Sequence, residues 1–281
     1  MINPLKPMLL HKADTPPAGA EYWHQIKWDG HRCVLYFIDG KVHLFTRHQT
    51  NCTQSYPELQ GIQLNAASCI LDGEMIVLQN GVPCFESVME RFHAGKNIKW
   101  QMEKNPVHFV AFDILQVNGE DLSGRPLSER HVALNKVVKQ SNIISISQYF
   151  TDGTALFSKV KEKGLEGIVS KKIDSRYTLD HRSQSWLKVK NYLYTEAAIS
   201  GIRKKEFGWS LIDPVSGKYL GVCEFADPES RKAFHHIAKQ LVVREDKNWI
   251  WIKPLIKARV KFQCWTKNGL MRTPSFQEFL L

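Results

Sequence analysis

The 281-residue chain is 43% hydrophobic and has a net charge of +10 with a pI of about 9.3, so it can bury a sizeable core and suits a polyanionic partner such as nucleic acid. Its longest uncharged apolar runs are strand-sized, which excludes a membrane helix of about 20 residues. Six cysteines without a Cys-x-x-Cys pair indicate neither a zinc site nor a disulfide framework.

The first ten residues, MINPLKPMLL, lack the apolar core of a signal peptide. Together with the scattered cysteines, this predicts a soluble protein of a reducing cytoplasm. Length favours two domains, and the boundary is predicted near Asn191, giving domains 1–190 and 191–281.

Up to residue 190, apolar and polar residues alternate in short runs that predict strands, with helical patterns between them. The clearest helices are Leu127–Lys139, after a Gly-Arg-Pro turn, and Thr154–Lys163, which Gly164 ends. The fold class is therefore α+β. The predicted strands are Tyr22–Ile26, Cys33–Ile38, Val42–Thr46, Ile70–Leu78, Val107–Leu115, Gly167–Lys171 and Trp186–Lys190.

The tail from residue 191 is the more basic part, with 15 Lys/Arg against 9 Asp/Glu. Its pattern predicts five short strands and one helix, Pro228–Leu241. This set indicates a small β-barrel of the OB type. The predicted strands are Glu196–Ile202, Trp209–Asp213, Tyr219–Phe225, Trp249–Lys253 and Ala258–Thr266.

Charged residues recur in short motifs of the first domain, beginning with Lys27-x-Asp29-Gly30-x-Arg32. Asp-Gly often forms a hairpin turn, but the pair also occurs at positions 39, 72 and 152, so it is weak evidence alone. Strand alternation in SWLKVK puts Lys188 and Lys190 on one face, about 7 Å apart. A solvated strand face would explain that pair by itself, and a phosphate chain would also neutralise it.

The order of these motifs resembles the covalent nucleotidyltransferases, and specifically the ATP-dependent DNA ligases. The resemblance covers nearly the whole chain and rests on the Lys27 motif, LDGE with Glu74, FVAFDIL with Phe112, EGIVSKK from Glu166, and SWLKVK. TRHQTNCTQSYPEL and SRYTLDHRSQSWLKVK also resemble family segments, the latter in bacterial end-joining ligases. The chain is most similar to compact bacterial and viral ligases built of an adenylation (nucleotidyltransferase) domain, with antiparallel sheets and flanking helices, followed by an OB domain.

This resemblance implies that Lys27 attacks the α-phosphate of ATP and carries AMP to the 5′-phosphate of a nick in double-stranded DNA. Arg32 and Arg47 would hold phosphate and ribose groups, and Glu74 the ribose hydroxyl. Phe112 would stack on adenine. The remaining implied residues are Ile26, Lys188 and Lys190 in the cofactor site, Arg272 as the pyrophosphate-orienting residue, and Glu166 with Asp29 near a divalent metal, Mg²⁺ or Mn²⁺.

A nucleophilic lysine needs a lowered pKa, since an amine with a pKa near 10.4 is only about 0.04% neutral at pH 7. Desolvation and the cations Lys188 and Lys190 would lower the pKa of Lys27, whereas Asp29 and Glu166 would raise it. A divalent metal near those carboxylates would resolve the conflict.

The sequence departs from the family at two places. His48-Gln49 follows Arg47 where a glycine is usual, and Arg272 in LMRTPSF lacks the Asp and Lys of many relatives. RNA ligases and mRNA-capping guanylyltransferases share the lysine chemistry and remain alternatives, as does a non-catalytic OB-fold nucleic-acid-binding protein. A P-loop enzyme is excluded because the chain has no Gly-x-x-x-x-Gly-Lys-Ser/Thr run. We expect a monomer acting on nicked DNA.

Overall fold

The structure, a computed structural model, describes residues 2–280 and divides into two compact units, with the boundary between Lys190 and Asn191. Each unit has its own buried apolar core. Within residues 2–280, no helix combines the length and apolar character that a membrane span requires.

The first unit contains eleven strands and four α-helices among its described residues. The helices are α1 (Phe85–Phe92), α2 (Ile98–Lys104), α3 (Leu127–Val137) and α4 (Gly153–Glu162). Short 3₁₀ turns span Thr53–Ser55, Pro57–Gly61 and Gly95–Asn97. The strands are β1 (Leu9–Ala13), β2 (Tyr22–Ile26), β3 (His31–Ile38), β4 (Lys41–Thr46), β5 (Ser68–Gln79), β6 (Val82–Pro83), β7 (Val107–Val117), β8 (Glu120–Asp121), β9 (Ile144–Ile146), β10 (Gly167–Lys172) and β11 (Arg182–Lys190).

Two sheets organise this unit. One has the order β1-β11-β10-β2, and the other runs β4-β3-β5-β7-β8 with β6 on β5 and β9 on β7. The prediction of antiparallel sheets needs correction at two places, since β1–β11 and β7–β9 are parallel. Both parallel pairs follow from connectivity, because β9 is reached from β7 through α3, and β1 and β11 are far apart in the chain.

All seven strands and both helices predicted in this part of the chain are present; Tyr22–Ile26 has the predicted ends, and the others have shifted ends. The helix predicted to Lys139 ends at Val137. The sequence prediction missed α1 and α2, which have 8 and 7 residues, because helices of two turns carry too few periodic positions to stand out. It also missed β1, because β1 pairs with β11, which is far from it along the chain.

The second unit has seven strands among its described residues rather than the five predicted. Its helix is α5 (Pro228–Ala238), followed by a 3₁₀ turn at Lys239–Leu241. The strands are β12 (Leu193–Arg203), β13 (Trp209–Ile212), β14 (Tyr219–Cys223), β15 (Val242–Glu245), β16 (Trp249–Ile252), β17 (Lys257–Phe262) and β18 (Ser275–Leu280).

The long strand β12 pairs with β13, β16 and β17, and β17 pairs with β18. A parallel bridge between Phe225 and Ser275 links the end of β14 to β18. The predicted strand around Trp249 belongs to an extra hairpin, β15–β16, and the prediction missed β18. Trp209 and Phe234 lie in the core of this unit.

Candidate active site

A cavity of about 620 Å³ lies within the first unit, a size typical of small-molecule and cofactor sites. Residues from both sheets line it, together with the loops that follow β2 and β4. Seven of the predicted site residues are among them, namely Ile26, Lys27, Arg32, Arg47, Glu74, Phe112 and Lys188.

Lys27 is fixed at the end of β2 by both its backbone and its side chain. Its N–H donates to the carbonyl of Gly167 at 2.9 Å, and its Nζ donates to Oε2 of Glu166 at 2.6 Å. The two side chains are only 21% and 8% exposed. Nζ of Lys190 lies 3.4 Å from the other carboxylate oxygen. Glu166 is therefore shared by two lysines that are separated from it in sequence but adjacent in the sheet.

Two glycines allow the backbone to pass closely around this cluster. A Cβ on Gly167, whose φ is +150°, would lie 2.2 Å from the carbonyl oxygen of Val189. A Cβ on Gly30 would lie 2.3 Å from the carbonyl oxygen of Met75. The Asp29-Gly30 pair forms no hairpin, because β2 and β3 belong to different sheets. The glycine of the Lys27 motif is thus required by packing and not by a turn.

The electrostatic environment of Lys27 opposes its use as a free amine. Burial acts to lower its pKa, but the carboxylates of Glu166, Glu74 and Asp29 together raise the pKa above its ordinary value. The lowered pKa that the sequence argument requires is therefore not provided by the residues of this chain alone. Neutralisation of the carboxylates would lower the pKa of Lys27 and favour a reactive amine.

In contrast to Lys27, Glu74 and Lys188 have pKa values that are shifted so as to favour the neutral form of each side chain. Burial raises the pKa of Glu74 to about 8, although Lys27 and Arg32 act to lower it. Burial, followed by the charges of Lys190 and Lys27, lowers the pKa of Lys188. A largely protonated Glu74 at pH 7 can donate a hydrogen bond as well as accept one.

Arg32 is held by a buried carboxylate that the sequence interpretation did not assign. Its Nε and Nη2 donate to the two oxygens of Asp72 at 3.0 and 2.6 Å. Tyr177 donates from its hydroxyl to the same carboxylate at 2.6 Å. Because Asp72 is fully buried and Arg32 is 13% exposed, this pair fixes the guanidinium at the cavity wall.

An aromatic wall lies beside Arg32, whose guanidinium carbon is 5.4 Å from the centre of the Phe112 ring. Behind it is Lys171, with Nζ 4.5 Å from the ring centre of Phe112 and 4.0 Å from that of Trp186. The ammonium also donates to the carbonyl of Phe112 at 3.3 Å. Burial lowers the pKa of Lys171 to about 7. A planar ring against Phe112 would therefore meet a mainly aromatic surface with one donor.

Arg47 reaches the cavity from the loop that follows β4. In that loop Gln49 has a φ of +65°, so a side chain here adopts the left-handed conformation that glycine takes most easily. Arg272 lies in the second unit between β17 and β18, where its N–H donates to the carbonyl of Cys264 at 3.0 Å. Its role at the cavity stays a prediction.

Several polar residues that line the cavity received no role in the sequence interpretation, among them Gln25, Lys171 and Arg182. Lys171 lies two residues after Val169, another lining residue on the same strand, so strand alternation within EGIVSKK could have identified it. Arg182 lies six residues before Lys188 at the start of β11, where no local signal distinguishes it from a surface arginine.

Comparison with known proteins decides among the enzyme classes that such a lysine cluster allows. A family model described as an ATP dependent DNA ligase domain matches residues 7–190. The chain belongs to the ATP-dependent DNA ligase family. It is 36% identical over 277 residues to the SPbeta prophage-derived DNA ligase-like protein LigB of Bacillus subtilis, a match that covers 98% of each chain.

Some relatives are longer than this chain. A DNA ligase of Thermococcus onnurineus is 28% identical over 290 residues, which cover 93% of this chain and 51% of that enzyme; the chain thus spans about half its length. Among solved structures, mycobacterial DNA ligase D complexed with ATP and MES has a TM-score of 0.58 and 25% identity, covering 98% of this chain and 95% of that one. The first unit therefore has the nucleotidyltransferase-type ligase fold.

Divalent metal use is typical of this family, and the carboxylates of the site fit a metal held by few protein ligands. Among residues 2–280, no three or more His, Cys, Asp or Glu side chains converge into a protein-only cage. Mg²⁺ commonly takes one or two carboxylates and completes its coordination with phosphate oxygens and water. Glu166 could supply such a carboxylate once its lysine partners contact phosphate instead.

Proposed function

We propose that this chain is an ATP-dependent DNA ligase that seals nicks bearing 5′-phosphate and 3′-hydroxyl ends in duplex DNA through a covalent adenylate on Lys27. The observation that carries the proposal is the contact of the Lys27 ammonium with Glu166 at 2.6 Å beside a cavity also lined by Lys188 and Arg47. Family membership and the net charge of +10 support the same function.

In the first step, Nζ of Lys27 attacks the α-phosphorus of ATP. The N–P bond forms, the bond to the pyrophosphate oxygen breaks, and the amine loses a proton. A divalent metal near Glu166 and Asp29 would neutralise these carboxylates and stabilise charge on the phosphate oxygens. Lys188 and Lys190 would then contact the α-phosphate, and Lys190 would exchange its contact with Glu166, at 3.4 Å, for one with phosphate.

The other nucleotide contacts follow from where the side chains lie. Phe112 would stack on adenine, and Ile26 would pack beside the base at the end of β2. Glu74, protonated up to about pH 8, would exchange a hydrogen bond with a ribose hydroxyl. Arg32, fixed by Asp72, would hold the ribose or phosphate in a defined position.

Two transfers complete the reaction. An oxygen of the 5′-phosphate at the nick attacks the phosphorus of the lysyl-AMP, which releases the amine of Lys27 and leaves AMP on the DNA end. The 3′-hydroxyl then attacks the DNA phosphorus, forms the phosphodiester and expels AMP. Arg47 would contact the nick phosphate, and Arg272 would orient the pyrophosphate in the first step.

We further propose that the first unit, residues 1–190, is the adenylation domain and that the second, residues 191–281, is an OB domain. Strands β12, β13 and β14 pair in succession, β12 also pairs with β17, and the Phe225–Ser275 bridge links β14 to β18. With α5 between β14 and β17, this connectivity supports a five-stranded barrel to which the β15–β16 hairpin is added.

The test is self-labelling with α-labelled ATP and a divalent metal, after any bound AMP has been discharged with pyrophosphate. Label should remain on the denatured protein, disappear in Lys27→Ala and persist in Lys41→Ala, since Lys41 is exposed at the start of β4. The labelled protein should then seal a nicked DNA duplex. A folded protein that takes no label would refute the proposal in favour of nucleic-acid binding alone.

A second comparison separates the related enzymes that share the lysine chemistry. Matched DNA and RNA nicks are offered with ATP, GTP or NAD, and DNA sealing with ATP should dominate. Sealing only of RNA, or label only from GTP, would point to an RNA ligase or a capping enzyme. Size measurement by light scattering checks the expected monomer.

A further inference from the structure

Helices α1 and α2 form a ledge beside the cavity that has no part in the nucleotide contacts proposed above. Phe85 and Phe92 of α1 line the cavity. Phe92 also packs edge-on against His31, with ring centres 4.6 Å apart, and His31 belongs to the Lys27 motif. The start and the end of α1 therefore border the site, and the chain continues from there into α2.

The ledge is held rigidly by a buried arginine. Arg91 is fully buried, contacts both oxygens of Glu58 at 2.9 Å, and donates to the carbonyl of Asn105 at 3.1 Å. Asn105, also fully buried, donates to Gln101 of α2 at 2.8 Å and to Glu90 of α1 at 3.0 Å. Because α2 is tied to α1 at its C-terminal end, its outer face has a fixed position relative to the cavity.

That outer face is basic and aromatic. Trp100 is 57% exposed, and Nζ of Lys104 lies 4.8 Å from the centre of its ring. Lys96 and Lys99 are exposed on the same segment, whereas Lys104 is paired with Glu90 of α1 at 3.2 Å. Glu103 is the one acidic residue between positions 93 and 104. A large exposed indole beside two exposed lysines, Lys96 and Lys99, is a combination that suits a polyanion with apolar faces. Both the sugars and the bases of DNA supply such faces.

The position of the ledge identifies the occupant as the duplex itself. For a 5′-phosphate to reach Lys27, the strands flanking the nick must cross the border of the cavity. The ledge continues that border, and its charge is complementary to the phosphates.

We propose that residues 93–104 of the ledge contact DNA, with Lys96 and Lys99 binding phosphates that flank the nick and Trp100 packing against a neighbouring sugar or base. This inference rests on the proposed nick-sealing function. The ledge would contribute to DNA affinity and not to the reaction with ATP, because none of these three side chains lines the cavity.

The experiment compares the wild-type protein with Trp100→Ala and with the double variant Lys96→Ala/Lys99→Ala. The control is Lys159→Ala/Lys161→Ala on α4, a helix of which no residue lines the cavity. On this helix Nζ of Lys161 lies 4.7 Å from the ring centre of Phe157. Each protein is assayed for self-labelling of Lys27 and for binding of a 5′-phosphorylated nicked duplex across a range of salt concentrations.

We expect all variants to label at the wild-type rate. Lys96→Ala/Lys99→Ala should bind the nick about tenfold more weakly and lower the salt slope by about 2, since each phosphate that a lysine neutralises adds about 0.9 to that slope. Trp100→Ala should weaken binding about fivefold or more with an unchanged salt slope, and Trp100→Phe should recover most of the affinity. The α4 control should bind like the wild type.

Wild-type affinity and salt slope in the ledge variants would overturn the inference while leaving nick sealing intact, and would direct attention to a protein partner for Trp100. An equal loss of affinity in the α4 control would also overturn it, because general charge and not the ledge would then explain the binding. If the wild-type protein itself takes no label, the proposed function has failed, which is a separate result.

Discussion

The Arg32–Asp72 pair offers the sharpest test of how this site is held in place. Asp72→Asn keeps the size of the side chain but removes its charge. The substitution leaves the guanidinium of Arg32, which is 13% exposed, without a charged acceptor. It also places the N–H₂ of the new amide opposite a group that itself donates. Two arginine contacts at 3.0 and 2.6 Å and one from Tyr177 at 2.6 Å are affected. Breaking a buried ion pair of this kind costs about 3 to 5 kcal/mol.

The destabilisation should appear as a lower melting temperature and denaturant midpoint, together with slower self-labelling at temperatures where the protein is still folded. The matched control is Asp113→Asn, which breaks the fully buried Arg130–Asp113 pair at 2.8 Å. That variant should lose comparable stability but label faster than Asp72→Asn, since neither member of its pair lines the cavity. The reasoning is refuted if Asp72→Asn unfolds at the wild-type midpoint or if both variants label alike.

Three further predictions concern the same cavity. The folded protein keeps a proton on Glu74 between about pH 4.5 and pH 8 that the unfolded chain lacks, so the free energy of unfolding of the wild type falls across this window. In denaturant melts at pH 5 and pH 8.5, Glu74→Gln should therefore become more stable relative to the wild type as the pH rises. The same pH dependence in both proteins would contradict this. Gly167→Ala would place a Cβ 2.2 Å from the Val189 carbonyl oxygen, so both stability and self-labelling should fall. Gly164→Ala meets no atom within 4 Å but has a φ of +62°, which strains alanine, so it should lose stability alone; equal labelling in the two variants would count against the close approach at Gly167. Phe112→Ala should raise the ATP concentration for half-maximal labelling about 5- to 150-fold, because stacking on the base contributes about 1 to 3 kcal/mol, while Phe112→Tyr should stay near the wild-type value. An unchanged ATP concentration for half-maximal labelling in the alanine variant would exclude Phe112 from the base site.

The four Asp-Gly pairs illustrate why local sequence was insufficient in places. Asp39-Gly40 forms the expected hairpin turn, with φ values of +48° and +77°. Asp152 instead caps α4 by accepting from the N–H of Ala155 at 2.9 Å. Gly73 lies inside β5, where an added Cβ would meet the ring of Phe109 at 2.3 Å, and Gly30 packs against a neighbouring backbone. One dipeptide thus serves four purposes, because its surroundings and not its own conformational preference select among them.

For the lysine cluster, too, the local sequence indicated some features of the site and not others. The motifs and their order indicated the family, which the comparisons confirm. They identified Lys27, Glu166 and Lys190 as residues of one site, and the structure brings these three together. Nothing in the motifs indicated that Glu166 would be shared by both lysines, or that the carboxylates would outweigh burial and raise the pKa of Lys27.

The sequence by itself determined most of the strands around the site, the type of chemical group each motif supplies and the family, since alternation and residue type are properties of neighbouring positions. Only the tertiary structure decided that Asp72 holds Arg32, 40 positions away, that Lys171 lies behind Phe112, 59 positions away, and that the ledge borders the cavity. Such contacts depend on how separate strands pack together, and the net charge of a buried group depends on every neighbour that packing brings to it. For that reason Lys27 could be proposed as the nucleophile from its motif, whereas the direction of its pKa shift could not be predicted.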